Sequence, residues 1–355
     1  MTREEILEAI QRNRTVRGVD LSGIDLSGAD LTGGRFEKVS FRRADLRGVN
    51  IQKTGFKQCE FPEAVFDGTD LSRVDLRETN LQGASLREIR LHMTLLDRAD
   101  LRGVDFFKGK LGWSLMQHAQ LAGARFREAV LEKMIFDQAD LAGADFSGAD
   151  LTKAVFLEAK LPGVIFTGAK LFKVLLSNCA LAGQDFSGMQ LTQVNFSGSG
   201  LAGANFSGAD VGMSNFTKAD LSGANLARVR GRNAMFLGVT LKQASLVKAD
   251  LAQAYFGEGN LAQADFSGAN LDHAFFPKAN CRAARFVGCT CPYADFSHAD
   301  ISAADFTGAN LYMARLHRVL DEHTIWDRAD RTLARWTDAD VAAGEDWVAP
   351  PDEAE

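Results

Sequence analysis

Large apolar residues recur at every fifth position of the chain. The series begins at Leu21 and keeps its phase as far as Leu316, through 60 consecutive repeats, of which only Gly231 clearly fails. We call this large residue the centre. A small residue, such as Ala29 or Ala144, usually stands two positions before it. Asp, Asn, Ser, Gly, Lys and Arg are frequent at the other three positions, as expected for a solvated surface.

A period of five fits neither an α-helix nor a β-strand. It predicts a coil that turns a corner every five residues and points the centre and the small residue inward. Of the 25 Phe, 22 are centres, and they fall on alternate repeats, with Phe41 and Phe61 as the exceptions. This alternation requires an even number of sides per turn, and two sides enclose no core. We therefore predict a four-sided coil in which each side is one repeat.

Individual repeats resemble the pentapeptide-repeat family. Examples are Ala-Asp-Leu-Ser-Gly at 219–223, Ala-Asp-Phe-Ser-Gly at 144–148 and 264–268, and Ala-Asn-Phe-Ser-Gly at 204–208. The resemblance covers most of the chain. It implies an all-β fold, a right-handed quadrilateral parallel β-helix over residues 19–318. With coils about 4.8 Å apart, fifteen coils would form a rod roughly 70 Å long.

The open ends of a β-helix expose unpaired strand edges and need covers. At the N-terminus, Thr2 with Glu5 matches a capping box. An apolar helical face follows, made by Ile6, Leu7 and Ile10. We predict a short helix over Thr2–Gln11, within a capping segment that spans residues 1–18.

At the other end, Asp321 breaks the pattern of centres, whereas Trp326 and Trp336 return to its phase. Residues 319–342 are therefore predicted to form an irregular coil or cap in which the Trp side chains cover the core. Residues 343–355 are acidic and contain two adjacent Pro, so we expect a disordered tail.

Charge is unevenly distributed. The whole chain has a formal charge of −6, but residues 317–355 contain eleven acidic residues and four Arg, a net charge of −7. The other 316 residues are close to neutral, at +1. A neutral body argues against direct nucleic-acid binding, which needs clustered Lys and Arg. It also argues against mimicry of DNA by a dense anionic surface.

The sequence predicts a location in the bacterial cytoplasm, or export by a route that needs no signal peptide. Residues 1–14 are charged and lack the apolar stretch of a signal peptide. No run of about 18 apolar residues predicts a membrane span. The five Cys show no paired spacing, which suits a reducing compartment.

The sequence contains no phosphate-binding glycine loop, zinc-ligand spacing or nucleophile elbow. Asp residues before centres, such as Asp25, Asp30 and Asp45, belong to the repeat and are expected to point outward. Without a pocket around them, a catalytic role is not expected. We therefore expect neither an enzyme nor a cofactor, metal ion or small-molecule substrate.

Cysteine and histidine clusters have simple structural interpretations. Cys281 and Cys291 are centres and Cys289 is a small inward residue, so core packing explains the three better than a metal or redox site. His298 and His317 are separated by almost one full coil, and we interpret their proximity on neighbouring coils as chance.

Gly231 leaves one centre empty. Arg228, Arg230 and Arg232 surround it. We favour a tolerated defect in core packing over a local bulge that presents the three Arg as a basic spot.

One feature goes beyond the repeat. The residue before each centre faces solvent and is usually polar, but in five consecutive coils on one face it is apolar: Leu95, Leu115, Ile135, Val155 and Leu175. Met93 and Trp113 flank the first part of this strip. The same position is apolar again at Met235, Tyr255 and Phe275, whereas the opposite face has Ser85, Asp105, Arg125, Asp145 and Ile165.

Two interpretations of the strip remain open. Contiguous exposed apolar residues often mark docking sites, here about 20 Å long. Alternatively, aliphatic ladders simply stabilise an exposed sheet. Lys133, Lys153 and Lys173 form a parallel basic ladder that could orient an acidic partner.

The first functional hypothesis is a non-enzymatic scaffold that binds a protein partner, or a second copy of itself, along this flat face. A second is an accessory or effector of type VI secretion, which long pentapeptide arrays with a short N-terminal helix resemble. A third is a DNA-mimicking modulator of DNA gyrase or topoisomerase. The neutral body, the uninterrupted coils and the lack of a dimerising terminal helix argue against the third.

Overall fold

The structure, a computed structural model, describes residues 1–347. Its elements are α1 (Arg3–Gln11), β1 (Thr15–Arg17), β2 (Arg35–Glu37), β3 (Gly55–Lys57) and α2 (Ala339–Glu345). The chain divides into two compact units, which we call unit 1 (Met1–Gly200) and unit 2 (Leu201–Glu355). Each is built as a right-handed quadrilateral parallel β-helix, as predicted.

Each corner of the coil is one backbone turn. The carbonyl of a centre accepts a hydrogen bond from the amide three residues later, as Leu26 does from Ala29 at 2.9 Å. The residue before that amide has a positive φ, for example 64° at Gly28 and 60° at Lys133. Glycine reaches this conformation without a side-chain clash, and the turn hydrogen bond holds longer polar residues there. Many of the frequent glycines therefore occupy the corner position that requires a positive φ.

Successive coils pair in parallel, each residue with its counterpart four repeats later. In the sheet β1–β2–β3, Val16 pairs with Phe36 and Phe36 with Phe56. Elsewhere the pairing is reduced to single bridges, such as Ile135 with Val155. The predicted coil of four repeats is confirmed.

Phenylalanine side chains stack in two columns inside the coils. Phe126 and Phe146 lie 4.8 Å apart, with ring planes at 4°, and Phe136 and Phe156 lie 4.9 Å apart at 13°. Between the columns, Phe126 meets Phe136 edge to face at 5.8 Å. Burial of each ring contributes about 2–3 kcal/mol, so the columns are a main source of stability.

The N-terminal helix is present and capped as predicted. The Thr2 hydroxyl accepts from the Glu5 amide, and the Glu5 carboxylate accepts from the Thr2 amide. Ile6 is fully buried, and the Arg3 guanidinium donates to the Ser27 carbonyl at 2.9 Å. These contacts hold α1 against the first coils.

The coils near the C-terminus are more regular than expected. Bridges continue to the pair Arg315 and Arg335, although Asp321 and Arg331 occupy centre positions. Backbone hydrogen bonds form the corners, so a polar centre does not abolish them. Trp326 stacks on Phe306 at 4.8 Å and extends the aromatic column.

Helix α2 was not predicted from the sequence. Its N-cap is Asp338, whose carboxylate accepts from the amides of Asp340 and Val341. The expectation of a disordered tail from Ala343 is therefore wrong for residues 343–345, and its end, residues 348–355, lies outside the described residues. Among residues 1–347, no helix is long and apolar enough to cross a membrane.

Candidate functional site

The apolar strip of the sequence forms a continuous column in unit 1. Parallel bridges join consecutive members, and the column ends where polar residues take over, at Asp75 and Asn195. We call it the apolar ladder, and it consists of Leu95, Leu115, Ile135, Val155 and Leu175. The predicted stacking of these residues is found.

Four of the five ladder side chains are half-buried, and the fifth, Leu175, is 41% exposed. Their backbone groups are bound within the coils: the Val155 amide donates to the Met134 carbonyl at 2.9 Å, and its carbonyl accepts from Phe136 at 2.8 Å. Neighbouring aliphatic side chains on a sheet cover one another. The ladder therefore offers apolar side chains to a partner, but no free strand edge.

One border of the ladder is a column of turn residues that we call the basic corner. Met93, Trp113, Lys133, Lys153 and Lys173 occupy the same positive-φ position in five consecutive coils. Backbone bonds join these turns, for example from the Lys133 amide to the Thr152 carbonyl at 3.0 Å. Met93 and Trp113, predicted to flank the ladder, and the predicted lysine ladder thus form one column in the structure.

The basic corner is partly ordered by its own contacts. The Lys133 ammonium lies 3.9 Å from the centre of the Trp113 ring and 3.6 Å from the Glu132 carboxylate. Lys173 lies over the Phe172 ring at 5.2 Å. Cation–π contacts at exposed sites contribute about 0.5–1 kcal/mol, enough to orient these side chains. Met93 and Trp113 remain more than half exposed.

The other border of the ladder is acidic, a feature that was not predicted from the sequence. It carries Asp97, Asp137, Glu158 and Arg98, a net charge of −2, and we call it the acidic corner. Asp137 accepts from the Leu157 amide at 3.2 Å, and Glu158 accepts from the Gln138 side chain at 3.0 Å. The three Lys of the basic corner and the adjacent Glu132 give that border a net charge of +2. The ladder thus lies between two corners of opposite charge.

The opposite face of unit 1 is covered by ion pairs. Arg127 binds Asp145, and Arg87 binds Asp105 at 2.9 Å. Burial raises the pKa of Asp145, but hydrogen bonds from Ser147 and Arg127 outweigh it and lower the pKa below its ordinary value. This face therefore satisfies its polar groups internally.

Unit 2 has a shorter apolar column. Met235 pairs with Tyr255 and Tyr255 with Phe275. The two rings lie 6.3 Å apart, and Met235 and Phe275 are each more than 40% exposed. Asn215 and Asp295 pair with its ends.

The three clustered cysteines and Gly231 lie in the core. Cys281, Cys289 and Cys291 are buried, with 3.3 Å between the last two sulfur atoms, and burial raises the pKa of Cys281. The Gly231 amide donates to the Asp250 carbonyl at 2.7 Å, and the preceding Arg230 keeps its parallel bridges, so the coil has no bulge there. A side chain there would meet Leu251 at 2.9 Å, so neighbours already fill the space.

His298 and His317 are close to each other, as their spacing predicts, but they are not alone. Glu345 of α2 lies within hydrogen-bonding reach of both. Because Glu345 was expected in a disordered tail, this cluster was not predicted from the sequence. The Asp338 capping pattern before α2 was the available signal.

Comparisons with known proteins identify the repeat. A family model described as "Pentapeptide repeat region" matches residues 129–206. A second, "Pentapeptide repeats (8 copies)", matches residues 16–48, 40–77, 56–88, 75–112, 214–251, 244–280 and 279–318. None of the curated proteins compared with the chain matches it.

Solved structures show likeness at low scores. HetL, a pentapeptide repeat protein from the cyanobacterium Nostoc sp. strain PCC 7120, is 19% identical over 94% of this chain and 96% of its own, with a TM-score of 0.18. A thylakoid-lumen pentapeptide repeat protein of Arabidopsis thaliana is 28% identical over 34% of this chain and 67% of its own (TM-score 0.23). QnrB1, a plasmid-mediated fluoroquinolone resistance protein, is 20% identical over 64% of this chain and 93% of its own, with a TM-score of 0.22.

Proposed function

We propose that this chain, which belongs to the pentapeptide-repeat family, is a non-enzymatic scaffold that binds another protein along the apolar ladder and its two charged corners. The observation that carries the proposal is the five-residue ladder itself. The coil does not need it, because the opposite face of unit 1 has the same backbone pairing with mostly polar residues.

Size decides how much of this surface a partner must cover. Five rungs span about 20 Å along the sheet. A stable protein interface buries on the order of 800 Å² on each partner, which is more than so narrow a strip provides. The contact therefore has to include Met93 and Trp113, which are more than half exposed, and the charged corners.

The charges specify the chemistry of the partner. We infer an apolar centre bordered by acidic groups opposite Lys153 and Lys173 and by basic groups opposite Asp137 and Glu158. In such interfaces the apolar core supplies most of the affinity, while complementary charges set orientation and association rate.

The test is a double substitution on the ladder, Ile135→Lys with Val155→Lys. Lysine fits this position, because Lys110 and Lys160 already occupy it elsewhere in the coils. The matched control is Val130→Lys with Ile165→Lys, since both residues are apolar, precede a centre on other faces and are 43% exposed.

A partner recovered from the host with wild-type protein is purified, and its dissociation constant is measured for all three proteins. We expect the ladder variant to bind at least tenfold more weakly and the control to bind as wild type does. Equal affinity of the two folded variants would contradict the proposal. Sedimentation velocity tests a second copy as the partner: self-association lost only in the ladder variant would identify it.

A further inference from the structure

Three side chains with metal-binding atoms meet near the C-terminal end of unit 2. His298 and His317 lie at one corner of successive coils, where the His298 amide donates to the His317 carbonyl at 2.8 Å. Glu345 comes from the last turn of α2. The β-helix thus provides two imidazoles and the helix one carboxylate.

The distances suit a single ion. His298 Nε2 lies 3.4 Å from Glu345 Oε1, and His317 Nε2 lies 3.3 Å from Glu345 Oε2. One candidate ligand atom from each of the three residues can be chosen so that all three lie within 4.8 Å of one another. Ligands at about 2.0–2.1 Å from a tetrahedral zinc ion are about 3.3 Å apart, so small side-chain movements would suffice.

The cluster opens into a cleft of about 470 Å³, lined in part by Trp336, Val341 and Asp338. This space leaves room for a water molecule or another ligand. A Glu carboxylate is ionised at neutral pH, so Glu345 offers an anionic oxygen ligand at the edge of this cleft.

We propose that His298, His317 and Glu345 bind one Zn²⁺ ion, which fastens α2 to the last coils of unit 2. Two imidazoles and a carboxylate are a donor set that zinc accepts, and three protein ligands leave a fourth, exchangeable position. The negative end of the helix dipole at the C-terminus of α2 also favours a cation there. This site is independent of binding along the apolar ladder.

The ion would replace the contacts of the two His with Glu345, and two further contacts must change. Arg318 Nε lies 3.2 Å from Glu345 Oε2, but its guanidinium also binds the Ala342 carbonyl at 2.7 Å and Asp346. It can therefore release Glu345 and stay paired. His317 Nδ1 accepts from the Asp338 amide at 3.4 Å. With zinc on Nε2, Nδ1 carries the proton, so this long contact opens.

The remaining charges around the cleft are Arg315, paired with Asp295 at 3.5 Å, and Arg335. These cations lower the affinity, whereas Asp338 and Asp346 raise it.

The test is a calorimetric titration of untagged, full-length, EDTA-treated protein with Zn²⁺, supported by the absorption spectrum of bound Co²⁺. We expect one ion per chain. His298→Gln and Glu345→Gln should each weaken binding at least tenfold, while His118→Gln should leave it unchanged. His118 occupies the same turn position in unit 1, and Gln253 shows that Gln adopts this positive φ.

Hydrogen exchange of residues 339–345 provides a second readout. Zn²⁺ should slow it at least tenfold in wild type and have no such effect in Glu345→Gln. The absence of binding at micromolar zinc, or binding that persists in both ligand variants, overturns the site. Binding that leaves the exchange of α2 unchanged overturns the fastening role.

Discussion

Two opposite faces of unit 1 both have stacked Phe rings behind them but differ in their outward residues. Behind the apolar ladder, Phe136 and Phe156 stack at 4.9 Å, and behind the opposite face Phe126 and Phe146 stack at 4.8 Å. The backbone hydrogen bonds between coils are similar on both faces, for example 2.8 Å from the Phe136 amide to the Val155 carbonyl and 2.8 Å from the Phe146 amide to the Ile165 carbonyl. The inward residues and the corners therefore make the fold, and the outward residues are free to serve another role.

The outward residues of the two faces make different kinds of contact. On the opposite face, ion pairs such as that of Arg127 with Asp145 bind the polar groups to one another. On the ladder face, aliphatic side chains lie between a corner of charge +2 and a corner of charge −2. Polar groups that are already paired with one another gain little from a partner. An exposed apolar strip with charged borders, in contrast, is stabilised when a partner removes it from water.

The largest expected effect tests whether the interiors are equivalent. Phe136→Ala and Phe146→Ala each remove a fully buried ring, and each should lower the free energy of unfolding by about 3–5 kcal/mol. Urea unfolding followed by circular dichroism measures both. A difference above about 1 kcal/mol between the two variants would show that the faces do not share one kind of core.

A smaller effect is expected from the ion pairs of the opposite face. Asp145→Asn removes the charge that binds Arg127 while keeping an acceptor for the Ser147 amide, and should cost about 1–2 kcal/mol.

This cost should depend on pH. The folded-state pKa of Asp145 is lowered, so its stabilisation is present above the unfolded pKa of about 4 and is lost as the pH falls through the folded pKa. Melting temperatures of wild type and Asp145→Asn should therefore differ at pH 7 and converge towards pH 3. A constant difference over this range would argue against the charge as the cause.

The third prediction separates the two interpretations of the ladder. If the ladder exists for binding, Ile135→Thr should cost less than about 1 kcal/mol of stability, similar to Ile165→Thr on the opposite face. Urea unfolding of the two variants makes the comparison. A cost well above that of the control would favour a stabilising role for the ladder.

The smallest effect concerns the basic corner. Lys133→Gln removes the ammonium 3.9 Å from the Trp113 ring and should cost about 0.5–1 kcal/mol. Lys153→Gln serves as the control at the same turn position. Thermal unfolding gives the stability, and a cost for Lys133→Gln no larger than that of the control would mean that the ring contact does not order the corner.

Most of the repeat could be predicted from the sequence because its information is local and periodic. The five-residue phase, the coil of four repeats, the Phe columns and the stacking of Ile135 on Val155 all follow from spacing alone. Met93 and Trp113 share the 20-residue spacing of the lysine column. That they belong to this column became clear only once all five residues were seen to occupy the same turn position.

The sequence by itself thus determined which residues share a column, because in a β-helix every column is a fixed interval along the chain. Only the tertiary structure decided where α2 lies and that Glu345 meets His298 and His317. A helix outside the repeat has no register with the coils. Its place is set by contacts distant in sequence, such as those of Arg318 with Ala342 and Asp346, and no interval in the sequence encodes them.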